Sequence, residues 1–203
     1  MPSSAATSGN AVKADAIEDR ILDAALVQFE QVGVKKTTIE DIARKADVDR
    51  VTVYRRIGSR DDVVRAVTGR EVSRLLDELK EIPARHETLE GLIAGIFVTV
   101  LTRWRNHPLV ERMLALEPDR LLPQLTTEGG AFFAMSVAAT TEILRTALRD
   151  RGFPEPSDLA TRVEVGCRIV HSLILQPIGA TDLDSEAELT AFARTHIAPI
   201  ISA

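Results

Sequence analysis

Arg50, Val51, Thr52, Tyr54, Arg55 and Arg56 fall within seven residues of one another, a concentration of cationic, methyl and hydroxyl groups suited to a nucleic-acid groove. Guanidinium forks match guanine edges, branched methyls meet the thymine methyl, and hydroxyls reach phosphate oxygens. With Val53 and Ile57 pointing inward at i,i+4, a helical rotation of about 100° per residue carries Val51, Thr52 and Arg55 away from the core. It leaves Tyr54 and Arg56 on the flanks and Arg50 at the exposed N-terminal end. A helix that merely faces water would carry Glu, Lys and Gln at such positions.

These side chains need a rigid support, and the stretch Thr37–Arg60 supplies the signals for one. Ile39, Ile42, Ala43 and Ala46 recur at helical spacing, Val48 sits in a break, and Val53 and Ile57 resume the pattern. Thr38 is placed to cap the first helix, with Asp41 near its positive end, and Asp49 to cap the second. Between them, Ala46-Asp47-Val48 requires a residue that tolerates a left-handed backbone; glycine is the usual choice and Asp a permitted one.

The run T-T-I-E-D-I-A followed by V-D-R-V-T-V-Y-R-R-I-G-S-R-D-D-V resembles the N-terminal DNA-binding domain of the TetR (tetracycline repressor) family of bacterial regulators, over about Ile17 to Ala66. The resemblance implies that Arg50, Val51 and Thr52 face bases, that Tyr54 and Arg56 hold phosphates, and that Thr38 and Arg60 grip the DNA backbone at two helix starts. Asp47 departs from the family's turn glycine and Ile57 from its frequent Phe, while Arg56 and Arg60 stand where His and Lys are common. The rest of the chain matches that family only in length and helical character.

The overall charge of −5 conceals a dipolar distribution. From Lys35 to Arg60 there are eight basic residues against four acidic, an excess of four that leaves −9 for the remainder. A basic head on an acidic body steers toward nucleic acid in one orientation. The single cysteine, Cys167, excludes an intramolecular disulfide and a cysteine-based zinc finger. No apolar run of about 18 residues and no leader pattern is present, so a cytoplasmic protein without a membrane partner is expected.

In chain order, residues 1–14 read as a disordered tail and 15–62 as the helix-turn-helix domain. Residues 63–203 read as a helical effector-binding and dimerisation domain. A bracing helix is expected over Asp15–Val32, with Ile17, Ile21, Leu22, Ala25, Leu26 and Phe29 on one face and Gly33 as its stop. Ser59 marks the start of a long helix over Arg60–Lys80. Further helices are expected from Thr88, over Leu109–Leu116, Ala131–Arg151, Asp158–Gln176 and Ser185–Ile201, with short helix and loop over Asp119–Gly130. The fold class is therefore all-α: a three-helix head followed by an antiparallel helical body, with about nine or ten helices.

One helix-turn-helix reads few base pairs, so a homodimer on a palindromic double-stranded DNA operator is expected. The stripes Val163, Gly166, Val170 and Leu189, Phe192, Ala193, Ile197 are assigned to its interface, against the alternative that they face only the chain's own core. Phe97, Leu101, Trp104, Met113, Phe132, Phe133, His171 and Ile174 are assigned to a pocket for a small lipophilic effector that releases the protein, a repressor, from DNA. A constitutive dimeric DNA-binding protein is the alternative. An enzyme using Cys167 and His171 is a weaker one: Glu164, Cys167 and His171 share a helical face, but two turns separate the outer pair by about 10 Å. No catalytic motif, metal or cofactor is expected.

Overall fold

The computed structural model describes residues 5–202, with side chains described from Asp15 onward. The described residues form helices and short turns without a strand. The helices are α1 (Ala5–Val32), α2 (Ile39–Lys45), α3 (Arg50–Arg56), α4 (Arg60–Lys80), α5 (Leu89–Arg105), α6 (Pro108–Leu116), α7 (Pro118–Leu125), α8 (Gly130–Asp150), α9 (Leu159–Leu175), α10 (Glu186–Phe192) and α11 (Ala198–Ser202). A single 3-10 turn, Ile82–Arg85, follows α4, and one π-helical turn, Ala193–Ile197, carries α10 into α11. Part of the tail assigned to 1–14 lies outside the described residues, and the backbone from Ala5 is already helical.

Two compact units emerge, one of residues 1–72 with 108–118 and one of residues 73–107 with 119–203. The division falls inside α4, ten residues beyond the boundary expected at 62/63, because Val63, Val64 and Val67 on its first half are buried with the head. Segment 108–118 is the less foreseeable part. Although α6 sits in the chain between α5 and α7, it packs on α1 and buries Leu109 and Met113.

In the first unit, Ile21, Leu22, Ala25 and Phe29 of α1 bury the stripe the sequence displays. They share a core with Ile42 of α2 and Val53 of α3, which are fully enclosed. Each of the Ile, Leu, Val and Phe side chains contributes about 1.5–3 kcal/mol on leaving water. Gly33 ends α1 at φ +91°, a left-handed backbone, and a Cβ there would come within 2.8 Å of a Glu117 carboxylate oxygen.

The second unit is organised around α5, which packs against α9, α10, α11 and the π-helical turn. No charge interrupts α5 between Glu90 and Arg103, so it can bury more than one face, and Leu92 and Leu101 are wholly enclosed. Thr88 caps α5 by accepting from the Gly91 amide at 3.0 Å. Among the described residues, α8 is the one helix long and apolar enough to cross a bilayer. Ile143, Leu144, Ala147 and Leu148 of α8 are buried in this unit instead.

Candidate nucleic-acid interface

The head is set by side chains that close its helix ends. Thr38 accepts from the Asp41 amide at 3.1 Å while the Asp41 carboxylate accepts from the Thr38 amide at 3.2 Å and its hydroxyl at 2.6 Å, a complete capping box on α2. Asp49 caps α3 by accepting from the Thr52 amide at 2.6 Å. The Thr38 hydroxyl holds the Asp41 carboxyl below its ordinary range, and the Thr52 amide does the same for Asp49. Ser59 and Asp62 repeat the arrangement at α4, the Ser59 hydroxyl depressing Asp62.

The turn between α2 and α3 adopts the left-handed residue its position demands, with Asp47 at φ +53°. The Val48 amide donates to Ala43 at 3.0 Å and the Asp47 amide to Arg44 at 3.3 Å, a pair of bonds that closes the end of α2. Arg20 of α1 completes it by donating to the Ala46 and Asp47 carbonyls at 2.5 and 3.0 Å. That guanidinium also sits at the negative end of α2, where a cation is favoured.

On α3 the inward and outward faces separate as the periodicity demands. Val53 is fully buried and Ile57 half-buried. Arg50, Val51, Tyr54, Arg55 and Arg56 are exposed; Val51 retains 70% of its surface and Tyr54 49%. Thr52 is half-buried, nearer the core than the rotation suggested, and its amide is held by Asp49. The Arg50 guanidinium carbon lies 5.9 Å from the Tyr54 ring centroid, which ties two prospective contacts into one unit.

Thr38 remains exposed beside this face, whereas Arg60 is half-buried. Instead of extending outward as a phosphate grip, Arg60 donates through Nε to the Thr37 carbonyl at 2.8 Å and through Nη2 to the Val34 carbonyl. The same loop carries a buried Thr37 hydroxyl bonded to the Gly33 carbonyl at 2.8 Å. Its Lys35 amide donates to both oxygens of Glu117, at 2.8 and 3.0 Å. Glu117 is 4% exposed, a carboxylate closed into the head by α6. Neither Arg20 nor Glu117 stands out in the sequence, since each acts on backbone 26 and 82 residues away.

Residues 21–67 match the family model for bacterial regulatory proteins of the tetR family. The match spans the last part of α1, both helices of the helix-turn-helix and the first part of α4. The matched segment is the helix-turn-helix head described above. The HTH-type regulator Rv2250c of Mycobacterium tuberculosis is 33% identical over 102 residues, 50% of this chain and 52% of that protein. The chain thus spans about half the length of that relative. A second regulator from the same organism, Rv1255c, is 26% identical over 186 residues, covering 91% of this chain and 87% of that one. The solved TetR family repressor AlkX from Dietzia superposes with a TM-score of 0.65 at 22% identity, over 90% of this chain and 93% of its own.

The second unit holds a partly open cavity of about 160 Å³. Of the residues assigned to an effector pocket, Phe97, Phe133, His171 and Ile174 line it. Leu101 is fully buried in the core, Trp104 and Phe132 lie off the lining, and Met113 belongs to the first unit with α6. Cys167 also lines the cavity, where burial and then the Glu164 charge push its thiol up to about 11, unlike a ready nucleophile.

The stripes assigned to a dimer interface face inward. Val163, Gly166, Leu189, Ala193 and Ile197 are buried in the chain's own core, and Val170 and Phe192 are half-buried against it. Helical periodicity marked them as buried, and the partner that buries them is intramolecular: Gly166 faces Ile197 and Ile201, and Phe192 stacks on Phe97 at 5.8 Å. The outward faces of α8 and α9 carry exposed Ala134, Ala138, Ala160 and Val165 instead.

Proposed function

We propose that the protein is a transcriptional repressor that binds a palindromic operator as a homodimer and is released by a small lipophilic effector. The observation that carries this is the surface of α3, where Val51 and Tyr54 stand exposed among Arg50, Arg55 and Arg56 on a helix capped at its start and braced behind. Arg50, Val51 and Thr52 read bases, Tyr54 and Arg56 hold phosphates, and Arg55 adds charge. Thr38 contacts the backbone at the start of α2. Arg60 acts indirectly, by fixing the loop before α2.

Two heads are held about one DNA turn apart by pairing the outer faces of α8 and α9. The small side chains of Ala134, Ala138 and Ala160 permit close approach there. An effector in the cavity lined by Phe97, Phe133, His171 and Ile174 favours a head spacing that does not fit DNA, shifting the population away from the operator-bound dimer. The repressor sign follows the solved relative AlkX.

Sedimentation velocity on the full chain with and without a fragment from upstream of its own gene tests this. A dimer alone and two chains per half-site pair on DNA support it. A monomer that binds DNA one chain at a time contradicts it, and Ala138→Arg, which places charge at the proposed seam, should convert dimer to monomer.

A further inference from the structure

The cavity in the second unit continues outward. Phe133 and His171, with ring centroids 5.8 Å apart, line both this inner space and a more open groove beside it. The groove is the more polar of the two, carrying Thr126, Arg168, Ser172 and Gln176. Arg168 is the one permanently charged side chain that lines it, and its guanidinium carbon lies 5.2 Å from the Phe133 ring centroid. The rings at the junction are therefore wetted by cationic charge on one side and apolar on the other.

The inner space has a different chemistry. It is lined mainly by Leu, Ile, Val and Phe, without a permanently charged residue. Its Ser136 hydroxyl is already engaged with the Phe132 carbonyl at 2.9 Å. Beyond it only Thr140, Cys167 and the junction His171 are polar, so a charge carried inside would lose its hydration with little compensation. The volume of about 160 Å³ is close to that of an apolar cavity known to hold benzene, so it accepts one ring or a tail of about six carbons.

We infer that the ligand is a short anionic amphiphile, its apolar end in the cavity and its carboxylate in the groove against Arg168. This rests on the effector role proposed above and specifies the ligand's polarity, orientation and size. Arg168 now holds Glu164 at 2.5 Å, one turn back on α9. In the single chain that pair is largely exposed, beside the proposed seam at Ala160, and holds the guanidinium weakly, so a second carboxylate can share it or displace Glu164.

Isothermal titration of the full chain without DNA tests the inference, using hexanoate, octanoate, hexadecanoate, 1-octanol and octylammonium. Hexanoate and octanoate should bind, with octanoate about tenfold tighter than 1-octanol, the worth of one charge-assisted contact. Octylammonium and hexadecanoate should bind most weakly, the first repelled by Arg168 and the second too long. Arg168→Gln should erase the preference for carboxylate over alcohol while leaving alcohol binding unchanged. Val100→Phe, which fills the cavity, should weaken all of them; should that variant not fold, the chain-length series carries the same test. Equal binding of the head groups, a preference that survives Arg168→Gln, or tight hexadecanoate binding overturns the inference. If the compounds bind alike and still release the protein from DNA, the effector role stands and only the orientation falls. If none binds, both fall.

Discussion

The Arg20 guanidinium donates to the Ala46 carbonyl at 2.5 Å, fixing the last turn of α2 from the helix behind it. This contact sits beside Asp47, which takes the left-handed backbone of the turn. Asp47→Ala should cost about 1 kcal/mol, since an unassisted Cβ in that region is unfavourable. Asp47→Gly should lie within about 0.5 kcal/mol of the parent, because relieved strain offsets the added freedom of the unfolded chain. Arg20→Ala should cost about 1 kcal/mol and weaken DNA binding, by removing a charged donor from two carbonyls. Urea melts of the three variants check this; a neutral Arg20→Ala would show that the turn holds without it.

Glu117 and Gly33 make a second test within the head. Glu117→Ala leaves the Lys35 amide without its acceptor in a closed site, for a loss of about 1–3 kcal/mol, and Glu117→Gln should recover part of it. Gly33→Ala combines a left-handed backbone with a Cβ pressed on the same carboxylate, and should cost at least about 2 kcal/mol. Were Glu117→Ala as stable as the parent, the bond would be incidental.

Acid should loosen the helix starts of the head before neutral or alkaline pH does. Asp41, Asp49 and Asp62 all titrate below the ordinary value of 3.8, chiefly through bonds from Thr38, Thr52 and Ser59. A depressed carboxyl contributes stability that is fully present above its unfolded value and is lost as pH falls through its folded one. Melting temperature should therefore be flat with respect to these groups above about pH 5 and fall below about pH 4. Asp49→Asn should flatten part of that acid limb, and an unaltered limb would remove Asp49 from the explanation.

Cys167 should be slow toward thiol reagents. With its thiol pushed to about 11 from an ordinary 9.0, the thiolate fraction at neutral pH falls by about 100-fold, before access is considered. Reaction with a disulfide reagent should be at least that much slower in the folded chain than in urea. Comparable rates would reopen the Cys167/His171 chemistry.

Sequence carried the local part of this architecture and little of the long-range part. The bounds of α4, the caps at Thr38, Asp49 and Ser59 and the left-handed Asp47 were all legible, because each is decided within four residues. Val51 and Tyr54 were legible as exposed because period 3.6 fixes which side of α3 Val53 occupies. Arg20 and Glu117 were not, since a charged residue on a helix gives no local sign of which distant carbonyl or amide it meets. The same limit explains Val163, Gly166 and Ile197: periodicity marks a buried stripe but not whether its partner is the same chain or a second copy. Met113 lies apart from the cavity for a related reason, as α6 packs with α1 in the first unit rather than with its neighbours in sequence.

The most direct test of the central claim is fluorescence anisotropy of a labelled upstream fragment, titrated with the full chain across salt beside its Tyr54→Ala variant. Several phosphate contacts per dimer predict a loss of roughly 10³–10⁵ in affinity between about 50 and 200 mM salt. Tyr54→Ala should weaken binding at every salt concentration and leave the fold intact by circular dichroism. Binding that is insensitive to salt, or unchanged by Tyr54→Ala on specific and unrelated DNA alike, would contradict the assignment of α3 as the DNA-reading helix.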